Sequence, residues 1–576
     1  MTQSGRTWAG ATDTLVADGK LLTKVGSTPV VVFWDGRAPR ALEDRCPHMG
    51  FPLHRGTVAD GMVTCHWHHA RFDLVSGCTL DLFADDARGF EAGIDGDRVW
   101  VAPRPVDNDV AVLERRLREG MQEGLTLVIA KSVLGLLGRG VAPTRVLGLG
   151  MEFGAAYRAA GWGAGMTVAQ IAANLLPFLP TDDQPRAVTQ ALSFLVRDTR
   201  GGPFFPVAPL GGDVPVGQLA GWYRGFIENR EGEAAERALA TAVRPDRVAD
   251  DLGAVERFLF AACTDHVYLD EGHVVDYTNK AFEALGHLGP EAASWLLPTL
   301  VRQTASATRH EERSDWRTPV DLLPLADKAI ARLAEDRHDG EGIGDDALAV
   351  AARGLLADDP HEVMEALLGA SAAGATAEQL ARAVALAAAL RLVHFHVQND
   401  VGDWDGVHHT FTTANAVHQA ICRQPTPELL RGVVQGALRV YLDRFLNVPA
   451  ARLPARSPRS LGDLEACWEA RSGVDEAGAV VAGFLAAGGD PADVVAELCR
   501  ALYREDAGFH WHQAVDAGAR QHQAWPAGSA ASELVLVGVT RWLVAHTPTL
   551  CQNDQVVTIA RRLQRGEPVF EEPPEA

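Results

Sequence analysis

Cysteine is scarce in this chain: 8 residues in 576, scattered rather than paired at short spacings. That excludes a disulfide framework and suits a reducing compartment. Basic residues are also in deficit. Lysine and arginine number 53 against 75 aspartates and glutamates, a formal charge of −22. Nucleic acid and anionic membrane surfaces both require a basic face, so neither is expected as a partner. No window holds the 18 or more apolar residues of a membrane span, and Met1 to Gly10 lacks a basic-then-apolar leader pattern. The expectation is a cytoplasmic protein with no membrane contact. No fixed-period repeat is present. What remains is ordinary globular composition, 47% hydrophobic and 22% charged, over a length that requires two or more domains.

The texture changes once along the chain. Up to about residue 105, Asp35-Gly36, Asp60-Gly61, Ser76-Gly77 and Asp95-Gly96 punctuate short runs such as Val30-Val31-Val32-Phe33-Trp34 and Val99-Trp100-Val101. This spacing predicts a small all-β domain over residues 1–105. Beyond a linker marked by Pro103 and Pro105, apolar residues recur three and four apart in Ala- and Leu-rich stretches: Leu113 to Leu137, Val363 to Leu392, Val480 to Tyr503. They predict a large all-α domain over 106–566. The polar, Gly-containing stretch Asp336 to Asp346 divides it into two lobes on this reading, and the acidic, Pro-rich segment 567–576 reads as a disordered tail.

The first domain carries a specific motif. Cys46-Pro47-His48 is followed after sixteen residues by Cys65-His66-Trp67-His68. Two thiolates and two imidazoles suit a [2Fe–2S] cluster in which one iron takes two cysteines and the other two histidines. Neutral histidine ligands raise the reduction potential relative to four cysteines. Zinc sites share the same composition, but zinc fingers pair the two cysteines at one end and the two histidines at the other. Spacing selects His68 over His54, His66 and His69. Residues 1–105 therefore resemble the Rieske [2Fe–2S] family, of the ferredoxin and oxygenase kind, with Arg71-Phe72-Asp73 and a Gly77 turn continuing the second loop. Respiratory-chain members tie the two loops with an extra cysteine pair, and the matching positions here are Phe51 and Trp67. Cys78 reads as a packed thiol.

A Rieske domain moves single electrons and does no substrate chemistry, so the helical remainder has to supply that. The D-x-x-H-x-x-x-x-H iron motif of Rieske oxygenases begins at Asp270 and His273 but meets Thr278 where the second histidine belongs. Fifteen of the 20 histidines nonetheless lie beyond residue 105. Candidate metal ligands are His273, His394, His396, His409 and His510, because imidazoles converging from several helices suit Fe(II) and leave positions open for oxygen. The string His409-Thr410-Phe411-Thr412-Thr413-Ala414-Asn415-Ala416 and the helix of His273 resemble the all-helical questin oxidase-like family. That resemblance implies a mononuclear iron with His273 and His409 as ligands and catalytic centre, His510 as a further ligand, and a carbamylated lysine for which Lys280 is the nearest match. The stretch 106–260, without a histidine cluster, departs from that family.

The expected function is a Rieske-type non-haem iron oxidoreductase. An external ferredoxin or flavin reductase would feed the cluster, and O2 and a small organic substrate, aromatic or polyketide-like in an apolar pocket, would meet at the second iron. A homo-oligomer is compatible with this scheme. The alternative is an electron-transfer or redox-sensing protein whose helical part binds a partner and holds no metal. Replacing Cys46 by Ser or His68 by Ala should abolish the Rieske electron-spin signal of the purified protein, and a surviving signal would show the ligand assignment to be wrong.

Overall fold

The computed structural model describes residues 5–105, 110–157, 161–199, 202, 204–335, 340–400, 402–470, 473–567 and 569. The N-terminal part is the expected all-β domain, with strands β1 (Thr7–Ala11), β2 (Lys20–Val25), β3 (Thr28–Trp34), β4 (Pro39–Glu43), β5 (Thr57–Ala59), β6 (Met62–Thr64), β7 (Arg71–Asp73), β8 (Gly89–Asp95) and β9 (Arg98–Pro105). A short α-helix, Thr12–Asp18, and a 3-10 turn, Leu53–Arg55, interrupt it. Six strands form a sheet in the order β1-β9-β8-β4-β3-β2, and β5-β6-β7 form a small second sheet. All the ladders are antiparallel.

The run of β3 explains how one strand serves two cores. Side chains alternate across a strand, so Val30 and Val32 join Leu15, Val99 and Val101 on one face. Val31 and Phe33 join Leu53, Phe72, Cys46 and Cys65 on the other. A one-residue slip would exchange the two sets and expel the residues that pack around the cysteines.

The compact unit built on this domain is larger than residues 1–105. It comprises Met1–Ala142 together with Asn553–Ala576. The stretch predicted as helical from Leu113 to Leu137 forms two helices, Val110–Glu123 and Thr126–Gly138, parted at Gly124, whose φ of +69° is the left-handed conformation that glycine tolerates. The last helix, Gln552–Arg565, sets Val557 and Ala560 against Ala130 and Leu134. These segments are helical as expected but group with the β domain. Within the segment read as a tail, only Glu567 and Val569 lie among the described residues.

The second unit, Pro143–Gln552, is helical and clusters as one body. Of the stretch expected to divide it, 336–339 lie outside the described residues. Helix Ala377–Val393 is buried on every side, as an Ala-rich helix at the centre of a bundle must be. It starts at a capping box of Thr376 and Gln379. Other helices of the bundle carry buried charge. Lys280, 1% exposed, places Nζ 2.5 Å from Asp516 Oδ2 and 3.1 Å from Glu283 Oε2. Arg520 reaches both carboxylates at 3.3 Å. A buried ion pair is costly to break from one side, because the remaining charge is left without compensation. Lys280→Met should cost roughly 3–5 kcal/mol of unfolding free energy in urea titrations, and Lys280→Met with Asp516→Leu should recover part of that loss.

Candidate functional site

The two loops that carry the cysteines are built alike. In the first, Cys46 N–H donates to Phe51 O and Gly50 N–H to Cys46 O, both at 2.7 Å; in the second, Cys65 N–H donates to Ala70 O at 2.9 Å and His69 N–H to Cys65 O at 3.0 Å. The fifth position of each loop is left-handed, Gly50 at φ +84° and His69 at φ +61°. His69 is thus the turn residue, and the other competing histidines are also engaged. His54 Nδ1 lies 2.6 Å from Asp44 Oδ2, and His66 Nε2 lies 2.7 Å from Thr57 Oγ1. The residues chosen by spacing converge: the rings of His48 and His68 stand 4.6 Å apart, edge to face. The Cys46 and Cys65 side chains are buried in one core.

The donor set fits an iron–sulfur cluster by its chemistry and by one orphan. His48 Nδ1 is buried with no hydrogen-bond partner, as a nitrogen reserved for a metal would be. Burial, then the nearby charges of His68 and Lys131, lower the His48 pKa to about 4 and keep the imidazole neutral. Phe51 and Trp67 face each other across the loops at 6.1 Å, an aromatic contact where a disulfide would tie them. Cys78 is exposed rather than packed, in the turn where its N–H donates to Ser76 Oγ.

The model of the Rieske [2Fe–2S] domain matches residues 6–86. Residues 6–86 are a Rieske domain. Its function is iron–sulfur electron transfer. Human apoptosis-inducing factor 3 is 33% identical over 79 residues, 14% of this chain and 13% of that protein, and the mouse protein of the same name is 32% identical over the same length. The chain therefore spans about an eighth of the length of these curated relatives. The ferredoxin of carbazole 1,9a-dioxygenase from Nocardioides aromaticivorans IC177 is 25% identical, with all of it and 18% of this chain covered, at a TM-score of 0.17.

The second unit brings three of the five candidate histidines together. A ring nitrogen of each of His273, His409 and His510 lies within 4.8 Å of the others. His273 opens helix His273–Leu288, His409 sits in Asp403–Arg423 and His510 in Phe509–Gln523. His394 and His396 are not part of this group. His394 Nδ1 faces Ala451 O at 3.1 Å, and His396 Nδ1 accepts from Gln398 N–H at 3.1 Å. Lys280 does not join it either, since its ammonium is held between Asp516 and Glu283.

Carboxylates hold the outer nitrogens of two members. His409 Nδ1 is 3.0 Å from Glu271 Oε2, and His510 Nδ1 is 3.3 Å from Asp405 Oδ1. The inner atoms, His409 Nε2 and His510 Nε2, are 3.1 Å apart. With both protons on Nδ1, two lone pairs face each other. A metal about 2.0–2.1 Å from each nitrogen, with neighbouring bonds near a right angle, spans about 3 Å between them. The residues fit a metal. Burial, then His409 and His510, lower the His273 pKa to about 3, which keeps a third imidazole neutral. The His409 contact holds Glu271 ionised, its pKa lowered to about 2.

The backbone that delivers Glu271 is strained. Tyr268, Asp270 and Glu271 have φ of +47°, +48° and +58°, and Gly272 follows at +92°. Such residues cost of order 1–3 kcal/mol each and persist where the surroundings over-determine them. Here Asp270 N–H donates to Thr308 O at 2.9 Å, and a Cβ at Gly272 would overlap the Thr413 hydroxyl. The sequence reading treated Asp270 and His273 as a broken iron motif and gave Glu271 and Asp405 no role. A carboxylate that serves a histidine 138 residues away leaves no local spacing signal. His408 was passed over as well. It is fully buried, both its ring nitrogens lack partners, and its ring stands 5.0 Å from that of His510. A separate trio, Glu378, His418 and Cys422, also lies within ligand distance, but Arg382 already reaches the Glu378 oxygen that faces His418.

One turn behind the triad, Asp276 Oδ2 accepts from Gln513 Nε2 at 2.6 Å and joins the His273 and His510 helices. Burial raises its pKa from 3.8 to about 6. The folded value lies above the unfolded one, so the associated stability is present in full below pH 3.8 and is lost as pH rises through 6. Asp276→Asn, which cannot ionise, should gain on the parent protein across that window, by roughly 2–3 kcal/mol at its top. Thermal unfolding between pH 4 and 8 checks this, and a difference that stays flat with pH would show Asp276 ionised throughout.

Proposed function

We propose that the chain is a Rieske-linked, iron-dependent oxidoreductase in which His273, His409 and His510 hold a mononuclear Fe(II) and a small organic substrate is oxidised by O2. An external ferredoxin or flavin reductase is the electron source in this scheme. The observation that carries it is the pair of inner nitrogens, His409 Nε2 and His510 Nε2, 3.1 Å apart with their outer nitrogens held by Glu271 and Asp405. Iron bound there would supply a redox change and open coordination positions. The chain's own part is to fix tautomers: each carboxylate keeps the proton on Nδ1 and raises the basicity of Nε2.

The cavity on the triad bears on the substrate. It measures about 700 Å³, and apart from Ala307 its lining is polar, including Arg230, Arg309, Arg313, Ser306 and Thr308. An aromatic or polyketide-like substrate is expected to need an apolar pocket; this lining, whose Arg230, Arg309 and Arg313 pair with Glu312, Glu228 and Glu271, suits a hydrophilic compound. A second reading, electron transfer or redox sensing without a second metal, is favoured by the same nitrogen pair if it shares a proton instead of a cation.

Iron content separates the two. Protein purified anaerobically should carry about three irons per chain, falling to about two in His409→Ala and His510→Ala with the Rieske spin signal intact. Glu271→Gln should weaken Fe(II) affinity by roughly 10–100-fold. A parent protein that holds two irons after Fe(II) incubation removes the oxygenase reading and leaves the relay.

A further inference from the structure

The first unit contains a cavity of about 650 Å³ lined in part by Cys46, Pro47 and Gly50, the first cluster loop. In a chain of net charge −22, its lining is locally basic. Arg45, Arg88, Arg104, Arg116, Lys131 and Arg139 stand against Glu43, Asp85, Asp86 and Glu567. Three of the acids are already engaged. Asp85 serves both Lys131, at 3.0 Å, and Arg116, at 3.6 Å. Glu43 lies 3.6 Å from Arg88, and Asp86 accepts from Thr79 N–H at 2.8 Å. Among the described residues, neither Arg45 nor Arg104 has a carboxylate within ion-pair distance.

An independent observation points to a ligand. Ser132, 2% exposed, lines the cavity with Oγ buried and without a hydrogen-bond partner. Nε of Arg116, whose side chain is 7% exposed, is likewise buried and unpartnered. A buried donor left unsatisfied is costly, and native structures seldom leave one without a reason. The Arg116 Nε and the two unpaired guanidiniums can only donate and the Ser132 hydroxyl can donate, so one acceptor-bearing ligand would satisfy all of them. The cavity's volume is within the range of small-molecule sites.

We propose that this cavity binds a small polyanion carrying phosphate or carboxylate groups, and that its occupancy tunes the cluster. Lys131 is the link: its ammonium donates to the carbonyls of Pro47 and His48 in the cluster loop while pairing with Asp85. Negative charge added beside this loop disfavours the reduced, more negative cluster, so binding lowers the reduction potential.

The test uses the full-length protein with its cluster loaded. Calorimetry is run with pyrophosphate and, separately, with citrate, and the cluster potential is followed by electron-spin titration in the presence of each. The expected result is one-to-one binding of at least one anion, with a fall in potential at saturation. Binding should weaken tenfold or more in Arg45→Gln with Arg104→Gln, and measurably in Ser132→Ala, whose charge is unchanged, while both variants keep the parent spin signal. Tighter binding of pyrophosphate assigns phosphate chemistry, and of citrate carboxylate chemistry. Absence of binding by both anions, or binding that ignores Ser132→Ala and follows net charge and salt alone, would overturn the proposal.

Discussion

Two imidazoles whose Nε2 atoms stand 3.1 Å apart, each with Nδ1 against a carboxylate, call for a proton or a cation between them. Much of the second unit's local structure answers to that constraint. The left-handed residues Tyr268, Asp270, Glu271 and Gly272 put Glu271 where His409 needs it, and Thr413 closes against the one of them that has no Cβ. Two of the helices that carry the histidines are joined again deeper in the bundle by Asp276 with Gln513 and by Lys280 with Asp516, and the third is tied to them where Gln521 donates to Asn415. These polar links are poor sources of net stability and good sources of register, which is what a site assembled from residues 273, 409 and 510 requires.

The Rieske half obeys a different logic. Its two loops repeat one hydrogen-bond pattern, and the pattern itself decides which histidine is free to be a ligand: His69 is used up as a left-handed turn residue, while His68 points to its counterpart in the other loop. Charge then distinguishes the surroundings of the two sites. The triad is flanked by carboxylates that enrich its nitrogens with electron density. The cluster loop is flanked by Lys131 and the arginines of a basic cavity.

What was legible in the sequence follows how local each signal is. The residues expected to hold the cluster sit within 23 residues of one another, in turns whose chemistry is written by Pro47, Gly50 and Gly77, so spacing alone picked out side chains that converge. Helices were legible from periodicity, and the Gly488-Gly489 pair marks the break inside Val480 to Tyr503, but the break at Gly124 inside Leu113 to Leu137 was not legible, because a single glycine within a periodic stretch is compatible with helix. The triad was partly legible, because His409 and His273 lie in recognisable strings, but His394 and His396 carried an equal compositional signal and turn to backbone groups instead. Residue type cannot separate those cases, since the difference is the direction of a side chain set by tertiary packing. The polar lining of the cavity over the triad was illegible for the same reason: the apolar helix faces were correctly seen, and they are spent on the core.

The return of the last helix onto Thr126–Gly138 has a consequence for how the molecule is made. Gln564 Nε2 reaches Leu134 O across 430 residues of chain, and Val557 and Ala560 complete a small apolar core begun by Ala130 and Leu134. The cluster-bearing unit is therefore discontinuous, with the whole helical body inserted into it. On the ribosome its first 142 residues must wait, with that apolar face uncovered, until residues 553–565 emerge. Chain order thus separates the two halves of this small core by the whole of Pro143–Gln552.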